Sequence, residues 1–110
     1  MRLPNATSAI LDIRKIANYC LDGDHPLGRH KARVFRAALG LTIADAGWFR
    51  QEILRSVQDA EAVELETDRF GTRFCVDLVL RRHGREAVVR TVWIVAGSTE
   101  APRFVTCWIP

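Results

Sequence analysis

"RFCVDLVLRRHGREAVVRTVWIVA", residues 73–96, decides the fold. Phe74, Val76, Leu78 and Leu80 fall two apart, the period of a strand with one buried face. Residues 86–96 are the longest apolar strand-like run and read as a central strand buried on most of both faces. Between the two runs, "RHGR" (82–85) supplies a tight hairpin turn, with Gly84 free to take positive φ. The neighbours extend this hairpin. "AVELET" (62–67) reads as a short edge strand, because Glu64 and Glu66 alternate on one face beside Asp68. "GSTEAP" (97–102) is a loop. "RFVTCWI" (103–109) is the last strand, with Val105, Cys107 and Ile109 on one side and Phe104, Thr106 and Trp108 on the other.

Upstream of about residue 60 the period is helical. Ile13, Ile16, Ala17, Cys20 and Leu21 make one apolar stripe, which Asp12 is placed to cap. "DGDHPLG" breaks that helix. A second begins near Arg29, buries Ala32, Phe35 and Leu39, and ends at Gly40. A third starts with Thr42 as N-cap and Asp45 three residues on, with Ala46, Phe49, Ile53 and Val57 inward. The expected architecture is a single domain over residues 1–110 of class α+β. Its three N-terminal helices pack on one face of a four-stranded antiparallel β-meander.

Composition narrows the function. The 110 residues are 48% hydrophobic and 26% charged, which is globular and not disordered. No apolar run spans a bilayer and no secretion leader is evident, so the expected location is cytoplasmic, with no membrane partner. Three dispersed cysteines, Cys20, Cys75 and Cys107, form no CxxC pair and read as buried free thiols. No metal site and no cofactor are expected, since no phosphate loop, nucleophile elbow or HExxH helix is present. Oligomeric state is not legible.

The charge is local. Net charge is only +3, yet Arg29, Lys31, Arg33 and Arg36 crowd "HPLGRHKARVFRAALG" (25–40), which also holds His25 and His30 and has no acid. Arg29, Arg33 and Arg36 share a helix face. The bland reading is a solvated helix side with Arg stems over apolar surface; against it, such a face usually mixes in Glu and Asp, and cations at a helix start oppose the dipole, which an anion bound there would offset. On the last strand Thr106 and Trp108 share a side, with Thr91 nearby if the two final strands pair. The hydroxyl suits a phosphate and the indole suits a base.

"HPLGRHKARVF", "LDIRKIANYCL" before it and "PRFVTCWI" at the end resemble a family of small bacterial domains of unknown function. Its H-P-x-G-x-x-K-A-x-x-F pattern is met by His25, Pro26, Gly28, Lys31, Ala32 and Phe35, and its W-I-V and final strand by Trp93–Val95 and Pro102–Trp108. More loosely, the order of helices and then meander is similar to the barnase–EndoU–colicin–RelE group of metal-independent toxin ribonucleases. That resemblance implies catalytic roles for His25, Lys31 and Thr106, with Thr91 beside them. Trp108 stands where that group places a tyrosine.

The leading expectation is a metal-independent endoribonuclease of bacterial toxin type. In it, His25 takes the 2′-OH proton, Lys31 with Arg29 or Arg33 stabilises phosphate charge, and Thr106 holds an oxygen. His30, Arg36, Thr91 and Trp108 contact the RNA. The alternative is a non-catalytic interaction module whose basic helix docks nucleic acid or an acidic protein, such as a cognate inhibitor or antitoxin.

Overall fold

The computed structural model describes residues 1–110. It has an α+β architecture. A 3-10 turn (Ala6–Ser8) leads to α1 (Ile13–Lys15), which passes into a π-helical turn (Ile16–Cys20). Then come α2 (Arg29–Leu39), a 3-10 turn (Ile43–Asp45) continuous with α3 (Ala46–Ser56), and strands β1 (Ala62–Asp68), β2 (Gly71–Arg82), β3 (Arg85–Val95) and β4 (Arg103–Trp108). The sheet is an antiparallel meander in the order β1-β2-β3-β4.

The decisive hairpin forms as its pattern requires. Arg82 pairs with Arg85 across a two-residue turn, in which His83 (φ 50°) and Gly84 (φ 77°) both take left-handed backbone. That conformation matches the twist of the flanking strands. Phe74, Val76, Leu78 and Leu80 lie opposite Trp93, Thr91, Val89 and Ala87, so the buried positions of the two strands face the same way. The second face of β3 is not buried as expected. Val88 is exposed and Arg90, Val92 and Ile94 are half-buried, because only alternate residues join the core.

The core of 23 buried residues combines these strand positions with Ile16, Cys20, Phe35, Leu39, Phe49, Ile53 and Val57 from the helices. Phe35 and Phe49 meet edge to face at 5.1 Å, as do Trp93 and Phe104 at 5.4 Å. Truncating any one of these rings costs about 3–5 kcal/mol. Thr91 is the buried polar exception, and its hydrogen bonds are complete. Its hydroxyl donates to Val76 O at 2.7 Å and accepts from Trp93 Nε1 at 2.8 Å.

Three local features position the site. First, the expected long first helix is instead one α-turn followed by a π-turn closed by Leu21 N–H to Ile16 O. The wider turn shifts the stripe's phase, so Ile13 points outward while Ile16, Cys20 and Leu21 stay buried. Asp12 does cap the segment, accepting from Arg14 N–H at 2.9 Å. Second, α2 ends at Gly40 (φ 66°), whose N–H reaches Arg36 O while Leu41 N–H reaches Phe35 O, a Schellman closure. Third, β4 has its outer edge dressed by the N-terminal half. Ile10 exchanges backbone bonds with Pro102 and Phe104, and Lys15 Nζ donates to Phe104 O at 3.0 Å. No helix is long and apolar enough to cross a membrane.

Candidate functional site

The side chains of α2 divide into two flanks on either side of the buried stripe Ala32–Phe35–Leu39. At ~100° per residue, Lys31 lies about 200° around the helix from Arg29, while Arg33 and Arg36 stay close to Arg29. Helical geometry therefore sends Arg29 and Arg33 to the flank opposite Lys31.

On the first flank, Lys31 Nζ donates to Thr106 Oγ1 of β4 at 2.8 Å. The ammonium also lies 5.0 Å from the centre of the Tyr19 ring and 5.5 Å from that of Trp108. It has no carboxylate partner, although most of the chain's acids are paired with arginines. Tyr19 in turn packs edge to face on His25, with ring centres 4.9 Å apart. Lys31 thus gathers Thr106, Tyr19 and Trp108 around its ammonium, and His25 joins them through Tyr19. The tyrosine went unnoticed in sequence because it sits mid-helix by pattern, and only the π-turn brings it here. The convergence has a backbone cause. Gly28 lies against the Tyr19 carbonyl so closely that an added Cβ would fall 2.1 Å from the oxygen. A glycine lets the start of α2 abut the π-turn.

His25 is held firmly. Its Nδ1 accepts from the backbone N–H of Leu27 and of Gly28, each at 3.0 Å. A neutral imidazole in this arrangement carries its proton on Nε2. The ring therefore offers a donor, and neither nitrogen has a free lone pair with which to take a 2′-OH proton. The general-base role expected of His25 does not suit this geometry, whereas a hydrogen-bond donor role does.

On the other flank, Arg29, Arg33 and Arg36 line a groove of about 480 Å³ with Leu21, Gly23, Ala32, Leu41, Thr42, Ile43 and Ala44. None of the three guanidiniums pairs with a carboxylate. His30 is exposed and belongs to neither cluster's contacts. Thr91 is fully buried and cannot touch a ligand. It lies opposite Cys107, and Thr106 lies opposite Val92, so the two threonines are not brought together.

Beneath Lys31 lie two thiols. Hydrogen bonding from Cys107, together with the nearby Lys31 ammonium, holds the Cys20 thiol below its ordinary range. Burial and the neighbouring Cys20 push Cys107 upward.

The whole arrangement is an uncompensated ammonium, a hydroxyl and an imidazole N–H set among two aromatic rings. Such groups bind an oxyanion and stack a base. No curated protein and no solved structure matches this chain. One family model does, over residues 2–110, and it is described as Domain of unknown function (DUF6883). With the match running through both walls of the Lys31 cluster and the arginine groove, the chain belongs to the DUF6883 family.

Proposed function

We propose that this domain is a metal-independent endoribonuclease whose reaction centre is the Lys31–Thr106 pair. The observation that carries the reading is the unpaired Lys31 ammonium, tied to the Thr106 hydroxyl at 2.8 Å and flanked by Tyr19 and Trp108. RNA supplies its own nucleophile. The 2′-oxygen attacks the adjacent phosphorus as its proton passes to water, the P–O5′ bond breaks, and the departing 5′-oxygen takes a proton from water, so that a 2′,3′-cyclic phosphate and a 5′-hydroxyl result. The protein's task is then to place the phosphate and stabilise the charge that grows on its oxygens. Lys31 meets one non-bridging oxygen. Thr106, accepting from Lys31, turns its own proton toward another. His25 donates through Nε2, and Trp108 presents its ring to a base.

The test is incubation of the purified protein with RNA in chelator, followed by end-group analysis. Cyclic phosphate termini that appear with wild type and vanish with Lys31→Met support the reading, and an inert wild type overturns it. His25→Gln, which keeps an N–H near the Nε2 position, is expected to retain more activity than His25→Ala. Equal loss would restore the imidazole to proton transfer.

A second reading rests on a separate observation, the three unpaired arginines along an apolar-floored groove. There the domain is an interaction module that docks an acidic protein segment, such as an inhibitor or antitoxin. Carboxylates would meet Arg29, Arg33 and Arg36, and an apolar side chain would rest on Leu21, Ala32 and Leu41. Binding that survives Lys31→Met but falls when the arginines are neutralised favours this module.

A further inference from the structure

The Lys31 site stands on two thiols that RNA cleavage does not use. Cys20 closes the π-turn directly after Tyr19, and Cys107 lies between Thr106 and Trp108 on β4. One cysteine from each wall therefore meets the other in the floor. Both are fully buried, at 0% exposure. Their sulfurs are 3.8 Å apart, and Cys20 Sγ is 3.9 Å from the Cys107 carbonyl oxygen. Bonded sulfurs stand about 2.0 Å apart, so closure asks for an approach of a little under ~2 Å.

We propose that Cys20 and Cys107 close into a reversible disulfide that ties the π-turn to β4 beneath Lys31. The oxidant class is a small hydroperoxide, hydrogen peroxide in the simplest case. The Cys20 thiolate attacks the peroxide, the O–O bond breaks, and a sulfenic acid and hydroxide form. The Cys107 thiol then attacks the sulfenic sulfur, an S–S bond replaces the S–O bond, and water leaves. The assignment of Cys20 as attacker follows from its surroundings. The Cys107 thiol and the Lys31 ammonium both favour its anion, whereas Cys107 is the more deeply desolvated of the two. The bond spans residues 87 apart in sequence and would tie the turn that carries Tyr19 to the strand that carries Thr106 and Trp108. Its effect on RNA cleavage rests on the ribonuclease reading, but its formation does not.

The test uses the folded full chain carrying Cys75→Ser, treated with hydrogen peroxide, alkylated and digested with trypsin. The expected product is residues 16–29 joined to residues 104–110, lighter by two hydrogens than the separate peptides and parted by dithiothreitol. Its melting temperature should rise on oxidation and fall back on reduction. If Cys75→Ser folds poorly, wild type is digested in the same way, with Cys75 reported by its own unlinked peptide, residues 74–81. The proposal is overturned if the folded chain ends as Cys20 sulfinic acid, or if both thiols stay alkylatable under peroxide that oxidises the urea-unfolded chain. Because the readout is mass, an inert ribonuclease assay leaves this result unaffected.

Discussion

Lys31 Nζ and Thr106 Oγ1, 75 residues apart in sequence, stand 2.8 Å apart and join α2 to the outer edge of the sheet. If this pair stabilises a phosphorane, Lys31→Met lowers the cleavage rate by about 10²–10³-fold. Thr106→Val is expected to act in the same direction by a smaller factor. The double variant should fall short of the product of the two, because both act on one phosphate. Single-turnover kinetics in chelator, with melting temperatures run in parallel, checks this. A rate loss that merely tracks unfolding would remove the catalytic role.

Gly28 brings the walls together, and its substitution is expected to separate them. In Gly28→Ala the new Cβ meets the Tyr19 carbonyl oxygen at 2.1 Å, and the obstacle is backbone that cannot rotate away. The start of α2 has to move, which costs about 1–3 kcal/mol. The His25 and Tyr19 ring resonances should shift with it, while those of Trp93 in the core stay. Nuclear magnetic resonance of the variant decides the matter, and unchanged Tyr19 and His25 signals would contradict the packing.

The strands and the hairpin were legible because strand burial repeats every two residues and His83-Gly84 fills a turn that few other pairs tolerate. Gly40 and the Thr42–Asp45 pair were legible for a similar reason: caps are local chemistry. The site was legible only in part. Lys31, His25, Thr106 and Trp108 announce themselves as residue types, but Tyr19 depends on a π-turn that helical periodicity does not encode. The division of the arginines from Lys31 follows from helix geometry, yet it becomes visible only once the buried stripe is known. Thr91 misled because a strand threonine looks the same whether its hydroxyl serves a ligand or, as here, Val76 O and Trp93 Nε1.

Thr91 accordingly belongs to stability. Thr91→Val keeps the shape and removes the hydroxyl, leaving the buried Trp93 Nε1–H without an acceptor. The expected loss is about 1–3 kcal/mol in urea unfolding. Thr91→Ser keeps the oxygen and should recover most of it. A larger loss in Thr91→Ser than in Thr91→Val would mean that the methyl, and not the hydrogen bonds, matters.

Neutralising Arg29, Arg33 and Arg36 together to Gln is expected to leave the melting temperature within a few degrees, since no carboxylate relies on them. Binding of an acidic partner or of RNA flanking the reaction centre should weaken and lose much of its salt dependence. Titrations at several salt concentrations distinguish this from a structural role, in which affinity and melting temperature would fall together.

Arg82 fastens the α2–α3 junction to the sheet, and its partner makes that fastening sensitive to acid. The guanidinium donates to Asp45 Oδ1 at 2.8 Å and to the Leu39 and Gly40 carbonyls at 3.3 and 3.1 Å, and it lies 5.2 Å from the Trp48 ring centre. Asp45 also accepts from Thr42 N–H at 2.9 Å and from its hydroxyl at 3.2 Å. The Thr42 N–H first, and then the charge of Arg82, hold the Asp45 carboxyl below its ordinary value of 3.8. A carboxyl whose pKa is lower folded than unfolded contributes its full stability above the unfolded pKa, and loses it as pH falls through the folded one. Asp45→Asn is therefore expected to cost about 1–3 kcal/mol near neutrality, the range for hydrogen bonds to charged groups. The gap to wild type should narrow as pH drops below about 4. Asp12 and Asp68 are lowered too, by Arg14 and by the Phe70 N–H and Arg73, so the variant keeps part of the acid sensitivity. Urea unfolding of both proteins at pH 7 and across the acid range tests the assignment. A gap that stays constant into acid would show that Asp45 acts through shape and not through charge.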